Sequence, residues 1–394
     1  MKGKYLVITL LVFMLAGTVT LVVRFMDRSL LNAIRDMAAD ITTPNAVVTK
    51  RSIPDLTTEE WESLASDAGY LTRVIQDQIQ IRTTHRSQDL SLSGTSWDPM
   101  FIKGFNLGAA LPGCFPSEFK ATEEMYYEWL EQMADLESNS IRTYTILPPE
   151  FYQALKSYNF NNNDHPIYLI QGVWAYVLEE GSYGDSTYIE DFHAETRDVI
   201  DVIHGNAVIE PRRGHASGVY TADVSRYTAA LILGREWEPN TVSDMRWQYP
   251  ERTSYQGVFF SVPNGQPMEC WIAETLDYTA RYETATYNLQ HALSFVNWLP
   301  LDPMYHDSEW IEWDEVREFD NDLEIIDPGN IHDSPLFKPG YFASYHAYPY
   351  YPDFVYNDAK YQEAECSNGQ CTYYGYLQDL IAAHDNMPVV IAEF

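Results

Sequence analysis

The sequence predicts an α/β fold, a (β/α)8 TIM-type barrel over residues 98–394, with a transmembrane helix at the N-terminus. Three observations predict it. Short apolar runs alternate with longer amphipathic runs from Phe101 onward, and that alternation implies parallel strands joined by crossover helices. Polar residues gather at the C-terminal ends of the short runs, where a barrel carries its chemistry: Asn106, Arg142, Glu236, Asn297, His346 and Glu393. No glycine-rich phosphate loop follows the first run, which lowers the open, nucleotide-binding version of the same alternation.

The elements follow in chain order. Lys2 and Lys4 precede an uncharged run, Tyr5–Val23, and Arg24 follows. The run is long enough to cross a bilayer once. No small-residue cleavage site follows it, so residues 1–24 are expected to be a signal anchor rather than a cleaved leader. Residues 25–97 are expected to form a stalk and a pre-barrel helix. Thr57 or Thr58 caps that helix, which is predicted to run from Glu59 to Ile81 on a stripe of Trp61, Leu64, Tyr70, Leu71, Val74 and Ile75. Residues 83–97 are rich in Ser and Thr and are expected to be a linker.

In the barrel, strands are predicted at Phe101–Leu107, Ser140–Leu147, Pro166–Trp174, Tyr227–Glu236, Ala292–Trp298, Phe342–Tyr348 and Pro388–Glu393. Helices are predicted at Thr122–Glu137, Glu150–Tyr158, Ile189–His204 and Met268–His291, with a hairpin insertion at 206–220. The seventh strand ends one residue before Phe394. The expectation is therefore a barrel truncated before its eighth strand, with two strand edges left open.

Composition bounds the partners. The net charge of −32 repels phosphate backbones, so nucleic acid is not an expected partner. The chain carries 29 Tyr, 17 Phe and 10 Trp; most of these rings are expected to pack in or near the core, and some to line a sugar groove, since flat rings stack on the apolar faces of pyranoses. Cys366 and Cys371 flank a turn-rich tetrapeptide, a spacing that closes a small loop in an oxidising compartment. Cys114 and Cys270 have no assigned partner, and His204, His215 and His306 show no metal-ligand spacing, so no metal is expected.

Two carboxylates stand out. Glu393 closes VVIAE and Glu236 follows LILGR, each at the end of an apolar run. A charge there is costly unless it faces the barrel mouth. Glycoside hydrolysis needs such a pair, one to attack the anomeric carbon and one to protonate the leaving oxygen.

The stretch from Phe101 to Phe394 resembles the glycoside hydrolase clan A barrel, as in families 2 and 5. IKGFNLGAALPG resembles the clan's first strand, SNSIRTYTILPP its second, SYHAYPYYP its sixth and PVVIAEF its seventh. The resemblance implies Glu393 as nucleophile, Arg142 reaching toward it, and Tyr348 with His346 contacting nucleophile or sugar. The clan places its acid/base after strand four, usually as Asn-Glu. Here Leu233-Gly234-Arg235-Glu236-Trp237-Glu238-Pro239 replaces that Asn, so Glu236 or Glu238 takes the role, with Glu236 the closer to the strand end. Asn106, Trp237, Glu238, Asn297 and Trp298 complete the expected substrate-binding set.

The resemblance implies a retaining hydrolase of β-linked glycans acting through two glutamates without a cofactor. The alternatives are a transglycosidase and a non-catalytic carbohydrate-binding or scaffold barrel. The expected partners are an oligo- or polysaccharide and, through the N-terminal helix, a membrane. The barrel is expected on the extracytoplasmic side of the cell membrane, carried by a single span.

Overall fold

The computed structural model describes residues 52–82, 96–178, 181–309, 324–367 and 369–394. The expected anchor at 1–24 lies outside them. Among the described residues no helix is long and apolar enough to cross a membrane.

Seven parallel strands form a nearly closed barrel. They are β1 (Gly104–Leu107), β2 (Ser140–Thr143), β3 (Tyr168–Val173), β4 (Thr228–Leu233), β5 (Ala292–Trp298), β6 (Ala343–His346) and β7 (Val389–Glu393). Each pairs with its neighbour in sequence order. Among the described residues no eighth strand separates β7 from β1. Across that seam the Asn106 side-chain amide donates to the Ala392 carbonyl at 2.9 Å.

The five middle strands, β2 to β6, are buried on both faces, as their near-continuous apolar runs require, while β1 at the open seam is exposed. Alternation sorts their side chains. Ile170, Ala230, Ile232, Ala292, Val296, Phe342 and Val390 fill the interior. Leu169, Leu231, Leu233, Leu293 and Phe295 face outward into the main core. Each such side chain contributes about 1.5–3 kcal/mol when fully buried. The outer layer comprises α2 (Glu123–Asp135), α3 (Pro149–Asn161), α4 (Ser186–Ile203), α5 (Pro239–Gln248), α6 (Pro267–Tyr287) and α7 (Thr372–Ala383), preceded by α1 (Thr58–Asp67). Local chemistry starts them. Thr57 and Glu60 form a capping box at α1, Thr122 accepts from Met125 N at α2, and proline occupies the first turn of α3, α5 and α6.

The pre-barrel segment corrects one expectation. The helix predicted to reach Ile81 stops at Asp67. Gly69 follows, and Thr72–Ile75 pairs antiparallel with Gln78–Arg82 around Gln76, whose φ is 56°. The sequence Gln78-Ile79-Gln80-Ile81 alternates with period two, and this β signal outweighs the helical stripe that overlaps it. Trp97–Pro99 adds a third strand, so the linker expected to reach residue 97 ends earlier. This sheet plugs the N-terminal mouth of the barrel. Leu71 and Ile81 pack with Tyr168 and Ala229, Ile79 enters the interior cluster, and the Thr72 hydroxyl donates to Ala229 O at 2.8 Å.

Two further expectations stand in the fold. The 206–220 insertion is a hairpin, Ala207–Ile209 against Gly218–Tyr220. Cys366 and Cys371 form a disulfide, while Cys114 and Cys270 are free.

Candidate active site

With its N-terminal mouth plugged, the barrel is open at the C-terminal ends of its strands. A cavity of about 870 Å³ lies there, and Glu236, Glu393, His346 and Trp298 all line it.

A strand irregularity aims Glu393 into this cavity. In β7, Val389 and Ile391 pack outward against the β6–α7 cluster, while Val390 and Ala392 face inward. Strict alternation would turn Glu393 outward. The register with β6 instead slips, from Tyr345↔Ile391 to His346↔Glu393, so Ala392 is bulged and Glu393 returns to the mouth. A glycine performs the equivalent task after β4. Gly234 has φ 98°, and its Cα lies so close to the Trp237 ring that a Cβ there would approach it to 3.1 Å. The chain turns sharply at this point and carries Glu236 over the cavity.

The two glutamates meet there. The Tyr348 hydroxyl lies 2.8 Å from Glu236 Oε1 and 2.7 Å from Glu393 Oε1. His346 Nδ1 lies 2.8 Å from Glu236 Oε1 and 3.6 Å from Glu393 Oε2. The ligand-type atoms of Glu236, His346 and Glu393 all fall within 4.8 Å of one another. Arg142 sits beneath them, 5% exposed, with Nη2 at 3.0 Å from His346 Nε2 and Nη1 at 3.5 Å from Glu393 Oε2.

Protons can be assigned from these contacts. A guanidinium has only donors, so in this contact His346 Nε2 is the acceptor and Nδ1 carries the ring proton. That proton points at Glu236 Oε1. Tyr348 owns one hydroxyl proton but faces two carboxyl oxygens, so it donates to one of them at a time. Because Nδ1 carries a proton, the Glu236–His346–Glu393 group is a hydrogen-bonded set and not three free ligand lone pairs for a metal.

A general acid working near neutrality must hold its proton, and the electrostatics at Glu236 run the other way. Burial does push the Glu236 carboxyl up, but the hydrogen bonds from His346 and Tyr348, with the positive charge of Arg235 nearby, outweigh it. The net displacement is below the ordinary carboxylate value. Burial, then the two carboxylates, hold the Tyr348 hydroxyl proton well above its usual range. Arg142 is displaced downward by burial, partly offset by Tyr144 and Glu393.

Other expected residues fall elsewhere. Trp237 is 1% exposed and packs edge-on against Tyr183 and Trp271 in the outer core; it touches Trp298 only through its carbonyl, which accepts from Trp298 Nε1 at 2.8 Å. It has inverted parity relative to Glu236 and is not a sugar platform. Asn297 shares the outward parity of Leu293 and Phe295. It is fully buried, donating to Ile326 O at 2.9 Å and to Tyr345 Oη at 3.3 Å, so it does not reach the cavity. Asn106 belongs to the barrel seam. Glu238 stands at the rim in an ion pair with Arg235 at 2.7 Å.

The cavity also recruits residues absent from the sequence expectations. Tyr144, Trp174, Tyr176, Asp191, Glu195, Arg212 and His215 all line it. Tyr144 stacks under the Arg142 guanidinium, 4.7 Å from its ring centre. Its strand approaches β3 so closely that a Cβ on Gly172 would sit 2.4 Å from Tyr144 O. Trp174 directly follows the third strand, so strand-end position alone was sufficient to flag it. Glu195 and its partners are brought in by α4 and the hairpin, which strand-end reasoning does not reach.

Comparison with protein-family models, with curated proteins and with solved structures finds no match.

Proposed function

We propose that this barrel is a retaining glycoside hydrolase acting on β-linked glycans, with Glu393 as nucleophile and Glu236 as acid/base. The observation that carries the reading is the Tyr348 hydroxyl held between Glu236 Oε1 and Glu393 Oε1. Two carboxyls that meet at one hydroxyl are close enough for attack and protonation in the same step. Their oxygens lie within 4.8 Å, close to the roughly 5–5.5 Å of retaining pairs and well short of the roughly 6.5–9.5 Å that inversion needs for an intervening water.

The roles follow from the surroundings. Arg142 places a fixed positive charge beside Glu393. Glu393 attacks the anomeric carbon, the C–O bond to the leaving group breaks, and the proton on Glu236 passes to the departing oxygen. Water then attacks the glycosyl ester, giving its proton to Glu236 and releasing Glu393. His346 and Tyr348 hold Glu236 over the scissile bond. Glu238 is the less suitable acid/base because it is tied to Arg235, whereas the Tyr348 hydroxyl joins Glu236 to Glu393.

Azide separates the roles. In a Glu393→Gly protein the nucleophile's face is vacant, so azide attack on an activated β-glycoside yields the α-glycosyl azide. In a Glu236→Gln protein the glycosyl ester still forms, and azide yields the β-glycosyl azide. Product anomers in the reverse order would exchange the two roles, and unchanged turnover in both variants would refute the reading.

A second reading has one observation in its favour. Arg235 stands where the clan has Asn, and Glu236 is displaced toward its carboxylate form. A barrel that binds glycans without cleaving them would show calorimetric binding and no product on the same panel. The extracytoplasmic, membrane-tethered location is part of the proposal, and the Cys366–Cys371 disulfide supports an oxidising compartment.

A further inference from the structure

We propose that the part of the cavity beyond the two glutamates is a second sugar subsite, built on Trp174 and Tyr176, that suits the protein to uncharged β-glycan chains several units long. This inference rests on the glycosidase reading of the same cavity.

The first observation is continuity and size. One cavity of about 870 Å³ holds Glu236 and Glu393 at one end and reaches α4 and the Ala207–Tyr220 hairpin at the other. That is toward the upper end of ordinary ligand pockets, and a single pyranose ring at the glutamates leaves most of it open.

The second is a pair of exposed rings, of which Tyr176 is held in place. Trp174 is 41% and Tyr176 40% exposed, although both line a cavity whose other α4-side ring, Phe192, is 1% exposed. Tyr176 is not loose. Its ring packs 4.7 Å from Tyr188, its hydroxyl donates to Asp191 Oδ2 at 3.3 Å, and its carbonyl accepts from the Tyr188 hydroxyl at 2.9 Å. Rings already ordered cost little to use on binding. They follow β3, Glu236 follows β4, and Trp298 ends β5, so the acid/base stands between aromatic surfaces on both sides.

The third is a fixed far wall. Glu195, 9% exposed, accepts from Arg212 and from His215 Nε2, joining the hairpin to α4. The Tyr220 hydroxyl donates to Leu147 O at 3.0 Å and joins the hairpin to the β2–α3 loop.

The fourth is charge. Among the described residues, both arginines lining the cavity already have a carboxylate partner, Arg212 on Glu195 and Arg235 on Glu238, and the lining histidines His215 and His346 lie against Glu195 and Glu236. Among these residues no arginine or lysine is left over to meet a sulfate or uronate, and a chain of net charge −32 repels both.

The test compares kcat/KM across β-1,3- and β-1,4-gluco-oligosaccharides from disaccharide to hexasaccharide with that for an aryl β-glucoside. The wild-type ratio of long to short substrate is expected to rise with chain length. Trp174→Ala should cut that ratio about tenfold, and Trp174→Phe, which keeps a ring, should restore most of it. An unchanged ratio in Trp174→Ala overturns the subsite. Binding of the same oligosaccharides to the Glu393→Gln protein is measured in parallel. Length-dependent affinity there, lost on adding Trp174→Ala, supports the subsite independently of turnover, and length-independent affinity overturns it. Absence of turnover in the wild type alongside length-dependent binding refutes the glycosidase reading alone. Carboxymethylated glucan should bind more weakly than the neutral chain, and tighter binding overturns the charge argument.

Discussion

Arg142 Nη2 lies 3.0 Å from His346 Nε2, and because the guanidinium only donates, this contact fixes the tautomer of the imidazole. The consequence is felt one bond further on, where Nδ1–H meets Glu236. Replacing Arg142 with Met removes the tautomer lock and also the positive charge beside Glu393. With the His346 hydrogen bond to Glu236 weakened, the limb of the kcat/KM–pH profile set by Glu236 is expected to move to higher pH, with a loss of about 10²-fold in the maximum. A purely structural role for Arg142 would lower the profile without moving it.

The wild-type profile should itself lie in the acidic range. Glu236 is displaced below its ordinary value, and a general acid must carry its proton. The rate should therefore increase as pH falls from neutrality. A kcat/KM that stays flat through neutral into alkaline pH would contradict Glu236 as the acid.

Asn297 offers a test of parity against motif. It faces the outer core, so Asn297→Ala should leave Ile326 O without its donor and cost about 1–3 kcal/mol in denaturant unfolding. The KM of the folded variant should be unchanged. Trp237→Ala should cost about 3–5 kcal/mol, as expected for a large ring removed from a packed core. A selective rise in KM with full stability in either variant would restore it to the binding set.

A buried pair at the opposite end of the barrel predicts pH-dependent stability. His291 Nδ1 lies 2.6 Å from Glu283 Oε1, and His291 Nε2 lies 2.8 Å from Ser225 O. His204 and Tyr287 close the group, with Asp223 nearby. Burial opposes charge on both partners. The Glu283 and Asp223 charges nonetheless raise His291 above 6.5, and the two histidines lower Glu283 from 4.5 to about 2. The histidine contribution is complete below 6.5 and is lost as pH rises through its raised folded value. The glutamate contribution is complete above 4.5 and is lost as pH falls through about 2. His291→Gln should therefore destabilise by about 3–5 kcal/mol between those limits, and by less at alkaline pH. A stability deficit independent of pH, measured by urea unfolding across the range, would contradict the charged pair.

The barrel was legible in the sequence because its middle strands are buried on both faces and read as unbroken apolar runs. Ala292–Trp298 was located to the residue, and the other strands to within a few residues. Glu236, Glu393, Arg142 and His346 were legible as strand-end polar residues and Tyr348 through the clan resemblance, and the structure brings all of them together. The failures share a cause. Position along a strand says nothing about side-chain parity. Asn297 and Trp237 are one residue out of phase with the residues that enter the mouth. Glu393 enters only because Ala392 is bulged. Ile79 and Ile81 belong to a period-two pattern that overlapped a helical one. Glu195 and Arg212 come from a helix and a hairpin brought over the barrel by tertiary packing, for which no local pattern exists.

The most direct test of the paired glutamates is the anomer released first from an aryl β-glycoside, followed by proton NMR before mutarotation. Two carboxyls bridged by one tyrosine hydroxyl predict that the β-anomer appears first. Initial release of the α-anomer would require a water between Glu236 and Glu393, and would contradict the account.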